Sequence, residues 1–133
     1  MWFVYVIQSQ EVRLGKRGNR LPGFFYVGAT TDVYRRLREH NGLYANGKPG
    51  NPKGGRYTSK HRPWLLRAIH GPYANQSEAM KAERALKKGK RSTGRLKWST
   101  DDSQWCRGLG ASDPRVEEFN AALLQLRAKA SVG

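Results

Sequence analysis

The sequence predicts an α/β fold of the α+β type, in which helices flank a small three-stranded antiparallel sheet and an additional helix follows at the C-terminus. Three runs of aromatic and β-branched residues indicate the strands, at residues 2–7, 24–27 and 64–70. The first run, WFVYVI, has no alternating polar positions, so we expect it to be buried on both faces. It should pair with the second run as a hairpin with a long loop at residues 10–23.

A polar side chain suited to N-capping precedes each of three predicted helices. For the first, a hydroxyl of Thr30 or Thr31 should be the N-cap and Asp32 an early carboxylate, and the helix should end near Gly42. Asn75 precedes the second. Asp113 precedes the last, and Pro114 then occupies the first helical position, where its missing N–H is not needed.

The last helix carries a continuous apolar stripe. Its members recur at spacing i, i+3, i+7 and i+10, and they are Val116, Phe119, Leu123 and Leu126. We expect this stripe to dock on the domain's own core, and a dimer or partner surface is the less common alternative.

The chain is strongly basic, and the excess is local. It has 25 Lys and Arg residues against 10 Asp and Glu residues, a formal net charge of +15 at pH 7. Residues 1–100 hold 21 of the basic and 5 of the acidic residues, and residues 40–77 hold no carboxylate. A field of one sign attracts polyanions, which favours a nucleic acid as partner over a merely solvated surface. The interleaved Gly, Pro and aromatic residues argue against a membrane-surface helix.

Cysteine content and hydropathy restrict the class of protein. Cys106 is the only cysteine, which excludes an internal disulfide and a zinc site built from cysteines. The opening segment MWFVYVIQS is too short for a signal peptide, and no run approaches about 20 apolar residues. We therefore expect a soluble, intracellular protein of the cytoplasm or nucleus, without a membrane partner.

The first predicted helix directs two polar residues toward the packed side. Val33, Leu37 and His40 are spaced i, i+4 and i+7, and Arg36 lies between them on the same face. A purely solvated basic helix would turn both Arg36 and His40 outward.

These two residues and two strand tyrosines are suited to work on a phosphate ester. Tyr5 and Tyr26 lie on adjacent predicted strands, and tyrosine and histidine can pass protons while Arg36 holds an anionic phosphate. Each also has a structural interpretation. The tyrosines can simply pack, His40 can favour the helix C-terminal dipole, and Arg36 can clamp phosphate without catalysis.

Glu83 is the most informative single residue. It falls within the apolar stripe of the second helix, in a strongly basic domain, so it needs a partner or a role. One role is to bind a divalent metal, since Mg²⁺ keeps most of its waters and can use one carboxylate plus a substrate phosphate. The alternative is a salt bridge to Arg36, Arg84 or Lys87. When Glu83 is considered without the other residues, the salt bridge is slightly the better interpretation.

In their order and spacing these residues resemble the GIY-YIG endonuclease superfamily. The first signature element corresponds to FVY, which ends at Tyr5, and the second to YVG, which begins at Tyr26. The helix arginine of the family falls on Arg36, the residue one turn later on His40, and the metal-binding glutamate on Glu83. FVY departs from Gly-Ile-Tyr at two positions, but it keeps the strand character and the tyrosine.

The resemblance covers roughly residues 2–98. Residues 56–88 are similar to the nuclease domain of the structure-specific, Holliday-junction-type resolvase subunit and to small stand-alone members of the superfamily. The resolvase subunit carries a cysteine-rich zinc domain, which the single Cys106 excludes here. The asparagine that some members use has no clear counterpart. The resemblance implies a nuclease domain at residues 1–100. Residues 101–133 lie outside it, and their apolar stripe predicts an extension with one amphipathic helix packed on the same domain.

By resemblance, the reaction is divalent-metal-dependent hydrolysis of a DNA phosphodiester, as a GIY-YIG-type endonuclease performs it. Glu83 would hold Mg²⁺ or Mn²⁺, and Arg36 would neutralise charge on the phosphate. Tyr5 would help to deprotonate the attacking water, with Tyr26 and His40 orienting the water or relaying the proton. Cleavage that is structure-specific or of low sequence specificity fits the composition better than a long recognition sequence.

The expected partner is DNA, branched or duplex, with a protein scaffold or a second copy as a further partner. DNA repair, recombination, restriction, mobile elements and viruses are all compatible settings. The alternatives are a non-catalytic nucleic-acid-binding module and a basic ribosomal or RNA-binding protein. The candidate DNA contacts are the basic and aromatic residues of the first helix, the 42–67 region and the second helix, namely Arg35, Arg38, Lys48, Lys53, Arg56, Tyr57, Lys60, Arg62, Lys87 and Lys88.

Overall fold

A computed structural model describes residues 1–11, 13–21, 24–44, 46–50, 58–93 and 113–132. For residues 13, 20, 21, 86–93, 131 and 132 it describes the backbone only. Its strands are β1 (Trp2–Ser9), β2 (Arg13–Leu14), β3 (Arg20–Leu21), β4 (Phe25–Thr30) and β5 (Trp64–Tyr73). Its helices are α1 (Val33–His40), α2 (Gln76–Thr93) and α3 (Pro114–Val132).

The main sheet has three strands in the order β4-β1-β5, and both pairings are antiparallel. This confirms the predicted α+β fold with its C-terminal helix. Strand β5 runs three residues beyond the predicted end, to Tyr73. The added residues include Gly71 and Pro72, which lie at the end of an outer strand, where proline is tolerated.

The connection between β1 and β4 contains structure that the sequence did not predict. Strands β2 and β3 pair antiparallel, and the turn between them is closed by Gly15 N–H donating to the Asn19 carbonyl at 2.7 Å. Gly18 in this turn has φ 76°, a conformation that favours glycine. Two-residue strands are too short to show any alternation in sequence, which explains why the hairpin was missed.

Strand β1 is buried on both faces, as its continuous apolar sequence predicted. Val4, Tyr5, Val6 and Ile7 are each at most 1% exposed. Val4 and Val6 point to one side of the sheet, and Tyr5 and Ile7 point to the other.

Helix α2 covers the Val4 side. Ala79 is fully buried there against Val4, Val6 and Val27, and Ala82 packs beside it. Asn75 caps the helix as predicted, because its Oδ1 accepts a hydrogen bond from Glu78 N–H at 3.0 Å.

Helix α1 covers the Tyr5 side. The predicted start of the helix is confirmed, but the predicted N-cap hydroxyl is wrong: the helix begins at Val33, so Asp32 is the N-cap, with Oδ1 accepting from Arg35 N–H at 3.0 Å. The chain leaves the helix through Gly42 at φ 70°. Val33 and Leu37 pack on the sheet, and His40 is buried with them. The predicted inward face of this helix is therefore confirmed.

Helix α3 lies on the same side as α1. Leu123 is fully buried among the residues that surround Tyr5, and Val116, Phe119 and Leu126 pack against that cluster. Asn120 forms two hydrogen bonds with Leu66 of β5, accepting from its N–H at 2.7 Å and donating to its carbonyl at 3.1 Å. The predicted division at residue 100 falls between the described residues 93 and 113 and stays a prediction.

None of the helices in the described part of the chain combines the length and the apolar character needed to cross a membrane.

Candidate active site

Tyr5, Tyr26 and His40 meet on the side of the sheet that α1 covers. The Tyr5 hydroxyl and Nε2 of His40 lie 2.7 Å apart, within hydrogen-bond distance. The ring centroids of Tyr26 and His40 are 4.8 Å apart, and those of the two tyrosines are 6.4 Å apart. Tyr5 and His40 are buried, whereas Tyr26 is partly exposed. Residues from β1, β4 and α1 thus form one group, and Tyr26 is its member nearer to solvent.

Gly28 makes room for the Tyr5 ring. It stands directly opposite Tyr5 in the β1–β4 pairing. A Cβ atom at position 28 would overlap the Tyr5 hydroxyl and would lie 2.6 Å from the ring carbon that carries it. The glycine of the YVG element is therefore required by the close approach of this ring to the neighbouring strand.

Arg36 lies between the buried pair and solvent. Its Nη2 is 3.4 Å from Nε2 of His40, its Nη1 donates to Oε1 of Glu39 at 3.1 Å, and its side chain also hydrogen-bonds Tyr5. The side chain as a whole is 23% exposed, so Arg36 is not sealed off from solvent. Glu39 as a partner was not anticipated from the sequence.

The surroundings of Tyr5 keep its hydroxyl protonated. Burial raises the pKa of Tyr5 above its ordinary value, and the neighbouring Tyr26 and Glu83 raise it further, while Arg36 acts in the opposite direction. In the ligand-free protein Tyr5 is therefore a neutral phenol near pH 7, able to donate one hydrogen bond and accept others.

His40 is neutral for related reasons. Burial lowers its pKa to about 3, and the positive charges of Arg36 and Arg62 contribute to the same shift. Nδ1 of His40 lies 2.8 Å from Oγ1 of Thr58, so both ring nitrogens have a hydrogen-bond partner.

Glu83 approaches the site from the other side of the sheet. It belongs to α2 and is partly buried, on the helix whose Ala79 and Ala82 pack against the Val4 face. Its charge is near enough to Tyr5 to affect the pKa of that hydroxyl. The carboxylate and the tyrosine–histidine pair therefore belong to one electrostatic environment.

The donor set can be compared with what a metal ion requires. Within the described ranges, no three His, Cys, Asp or Glu side chains gather as a ready-made cage. The group near Tyr5 offers the Glu83 carboxylate and phenolic oxygens, while the Glu39 carboxylate is engaged by Arg36. These are hard oxygen donors, and they fit a Mg²⁺ or Mn²⁺ ion that keeps waters and completes its shell on a phosphate, whereas zinc or copper prefers nitrogen and sulfur.

The candidate DNA contacts are distributed unevenly. Arg35, Lys48 and Lys60 are exposed, as a phosphate contact requires, and Arg38 is partly buried with its guanidinium 5.7 Å from the Tyr34 ring centroid. Lys53, Arg56 and Tyr57 lie outside the described residues, as do the side chains of Lys87 and Lys88.

Arg62, also a candidate DNA contact, is partly buried and bonds directly to the end of α1 beside His40. Its Nε donates to the His40 carbonyl at 3.0 Å, which helps to end α1. Its Nη2 is buried and has no hydrogen-bond partner among the described residues. Burial lowers the pKa of Arg62, and the positive charge of Arg127 on α3 adds to that shift.

Three residues that sequence reasoning missed connect His40 to the core. The Asn41 amide donates to the Trp64 carbonyl at 2.9 Å and accepts from Trp64 N–H at 2.8 Å. The Trp64 indole donates to the Thr58 carbonyl at 2.9 Å, and Thr58 contacts His40. The only signal in the sequence was a polar Asn41 directly after His40, which by itself does not predict a long-range contact.

Three known proteins are similar in sequence to this chain. A UPF0213 protein of Streptococcus pneumoniae serotype 4 is 41% identical over 89 residues, which cover 67% of this chain and 69% of that protein. A UPF0213 protein of Desulfotalea psychrophila is 35% identical over 86 residues, 65% of this chain and 60% of that protein. The structure-specific endonuclease subunit SLX1 of Meyerozyma guilliermondii is 36% identical over 89 residues, 67% of this chain and 25% of that protein.

The match therefore spans 60% of the Desulfotalea protein and 25% of the Meyerozyma protein. At the level of families, residues 1–97 match the GIY-YIG catalytic domain. This range contains both tyrosines of the signature elements together with Arg36, His40 and Glu83. As the FVY and YVG motifs predicted, the chain belongs to the GIY-YIG catalytic domain family.

Proposed function

We propose that this chain is an endonuclease that hydrolyses phosphodiester bonds of DNA with the help of a divalent metal ion. The observation that carries the proposal is the hydrogen-bonded pair of Tyr5 and His40 beside Arg36, with the Glu83 charge close to it. A relative named as a structure-specific endonuclease subunit supports the same activity.

Arg36 is the residue that would hold the phosphate. Its side chain is partly exposed, and its guanidinium is already held by Glu39 and by the Tyr5–His40 pair. A planar group with several N–H donors can grip two non-bridging oxygens and neutralise the charge that builds up on them. Because the group is oriented before substrate arrives, it costs little reorganisation during the reaction.

Tyr5 and His40 would provide the path for the proton of the attacking water. The water oxygen bonds to phosphorus as its O–H bond breaks, and the proton passes to the Tyr5 oxygen while the phenol proton passes to Nε2 of His40. The phosphorus–oxygen bond to the leaving group breaks in the same displacement. Burial is the main cause of the low His40 pKa, and the charge of Arg36 adds to it, so a phosphate bound at Arg36 would offset part of that shift and make the imidazole a better acceptor. Tyr26, nearer to solvent, would orient the water.

Glu83 would hold a Mg²⁺ or Mn²⁺ ion, in keeping with the oxygen donors around Tyr5. When bound, such an ion supplies Lewis-acid polarisation of the phosphate and stabilises the leaving oxygen. The chain's own contribution is the position of the Glu83 carboxylate on a helix packed against the sheet, within the electrostatic reach of Tyr5.

The DNA would be held mainly through its backbone. The exposed Arg35, Lys48 and Lys60 suit phosphate contacts, which position a duplex without reading its sequence. We therefore propose cleavage that depends on DNA structure or has low sequence specificity, by a nuclease domain at residues 1–100 with the 101–133 extension docked on it. Because the SLX1 relative is named as a subunit, a protein scaffold or a second copy of this chain is the proposed partner.

The decisive experiment compares Glu83→Ala with Glu78→Ala. Both remove one carboxylate from the same helix, and Glu78 is exposed near its start. Labelled branched and linear DNA would be incubated with each protein, with and without Mg²⁺ or Mn²⁺. We expect metal-dependent cleavage that falls at least about 100-fold in Glu83→Ala and is unchanged in Glu78→Ala, with DNA affinity retained in both.

The opposite result is equally informative. Salt-sensitive binding by the unaltered chain without cleavage of any substrate in either metal would contradict the nuclease and favour a non-catalytic binding module. Preference for RNA without a need for metal would favour the basic RNA-binding alternative.

A further inference from the structure

The two nitrogens of His40 face different kinds of group. Nε2 faces the Tyr5 hydroxyl at 2.7 Å and Nη2 of Arg36 at 3.4 Å. Nδ1 faces Oγ1 of Thr58 at 2.8 Å. A neutral imidazole carries a single proton, so one nitrogen donates and the other accepts, and the partners decide which nitrogen does which.

The groups around Nε2 require an acceptor there. Arg36 can only donate, and the phenol of Tyr5 carries a proton that needs an acceptor. A proton on Nε2 would point toward these N–H and O–H groups. The ring proton therefore belongs on Nδ1, where the Thr58 hydroxyl oxygen has lone pairs to accept it.

We propose that Thr58 is a positioning residue that holds His40 in the Nδ1–H tautomer and thereby sets the direction of the Tyr5 hydrogen bond. The proposal deepens the proposed nuclease function and rests on it for its catalytic meaning. Thr58 does not touch the substrate in this account. It acts through His40.

Thr58 is itself fixed by the core. It is fully buried, and its carbonyl accepts from the indole N–H of Trp64 at 2.9 Å. Trp64 is also fully buried and is held by Asn41, the residue that follows His40. Asn41 in turn donates to the Leu37 carbonyl of α1 at 2.8 Å. The end of α1 and the Thr58 hydroxyl are thus fastened to the same tryptophan, which fixes their separation.

The tautomer decides what Tyr5 presents to the substrate. With the proton on Nδ1, Tyr5 donates its hydroxyl hydrogen to Nε2, and lone pairs of the phenol oxygen remain to accept from a water. With the proton on Nε2, the phenol oxygen would accept from His40 and its hydrogen would point away. Tyr5 would then be a donor toward the site and could not accept the water proton.

The test uses the full chain with Thr58→Val and Thr58→Ser. Valine keeps the branched shape but removes the hydroxyl, and serine keeps the hydroxyl. Long-range proton–nitrogen NMR correlations of ¹⁵N-labelled histidine report directly which ring nitrogen of His40 is protonated. His61 and His70 are the other two histidines, so their single substitutions assign the signals.

We expect the unaltered protein to carry the proton on Nδ1. Thr58→Val should shift the population toward Nε2–H and lower kcat on the order of tenfold or more, with KM and DNA affinity unchanged. Thr58→Ser should restore both the tautomer and kcat. A lost general packing contact would lower thermal stability without this combination of effects.

Two results would overturn the proposal. One is an Nε2–H signal for His40 in the unaltered protein, which can be measured even if Thr58→Val does not fold. The other is a Thr58→Val protein with unchanged tautomer and kcat. Because the NMR measurement needs no cleavage, an inactive chain with His40 in the Nδ1–H form would contradict the nuclease while supporting the role of Thr58.

Discussion

On one face of the sheet, β1 contributes Val4 and Val6 to an apolar cluster with Ala79 of α2. On the opposite face the same strand contributes Tyr5 and Ile7, and there the core also encloses His40, Asn41 and Thr58. Burying polar side chains is unfavourable unless each finds a partner. The Tyr5 face meets this requirement through a connected set of hydrogen bonds.

The difference shows how one strand can serve two purposes. The cluster on the Val4 face is apolar and stabilises the domain by burial, although α2, which covers it, also carries Glu83. The Tyr5 face instead encloses oriented polar groups in its interior. A buried polar network is rigid when complete and costly when one member is removed. The two faces should therefore respond differently to substitution.

The largest effect should come from Gly28→Ala. The new Cβ would overlap the Tyr5 hydroxyl and ring, so the ring must leave its position beside His40. A displacement of about 1 Å at a catalytic group can cost about 100-fold, so we expect cleavage to fall at least about 100-fold. Single-turnover cleavage measures the loss.

A double-mutant cycle identifies the cause. Gly28→Ala should destabilise the unaltered chain more than it destabilises a Tyr5→Ala chain, because the second protein lacks the ring that the Cβ meets. Equal destabilisation in the two backgrounds would mean that strand β4 itself rejects the side chain.

The next effect separates the two faces directly. Val6→Ala removes buried carbons from the Val4 face and should lower the free energy of unfolding by about 2 kcal/mol, leaving kcat unchanged at temperatures where the protein is folded. Tyr5→Phe is the matched change on the other face and should cause a large loss of kcat together with a loss of stability, because Nε2 of the buried His40 loses a hydrogen-bond partner. Urea unfolding and single-turnover cleavage of both proteins test this. Equal losses of kcat in the two proteins would show that the faces are not functionally distinct.

The smallest effect is a pH dependence of stability. The pKa of His40 is lowered to about 3 from an ordinary value of 6.5, so between these values the unfolded chain binds a proton that the folded chain does not. The His40 contribution is fully present above pH 6.5 and is lost progressively as pH falls toward 3. From pH 7 to 5.5 it should reduce the free energy of unfolding by about 1 kcal/mol.

Urea unfolding at several pH values, compared with His40→Gln, isolates this contribution. The variant should lose about 1 kcal/mol less than the unaltered protein over the same range. An identical pH dependence in the two proteins would place the titrating groups elsewhere.

Local sequence patterns and the order of the motifs were sufficient to predict several features of the fold and the site. The apolar run of β1, the cap at Asn75 and the inward position of His40 all follow from periodicity and capping chemistry, and the structure confirms them. The structure also brings Tyr5 and Tyr26 together because adjacent strands align them, as the paired motifs implied.

The rest depended on contacts between distant parts of the chain. Thr58 reaches His40 across 18 positions and Asn41 reaches Trp64 across 23, and neither residue stands in a periodic pattern. The pairing of Glu39 with Arg36 was not predicted for another reason. A charged residue one turn from Arg36 shows the same sequence pattern whether its side chain forms an ion pair or faces water. Long-range partners of polar side chains are set by the assembled core, and a single sequence does not encode them as a readable pattern.

The Asn120 hydrogen bonds have a consequence for association between copies of this protein. Strand β5 is an outer strand of the sheet, and an outer strand exposes backbone groups on which a foreign strand can add. At Leu66 both of these groups are already taken by the Asn120 amide, which imitates the backbone of a neighbouring strand. The C-terminal helix therefore closes this stretch of the sheet edge with one side chain, and a strand from another molecule cannot extend the sheet there without first displacing it.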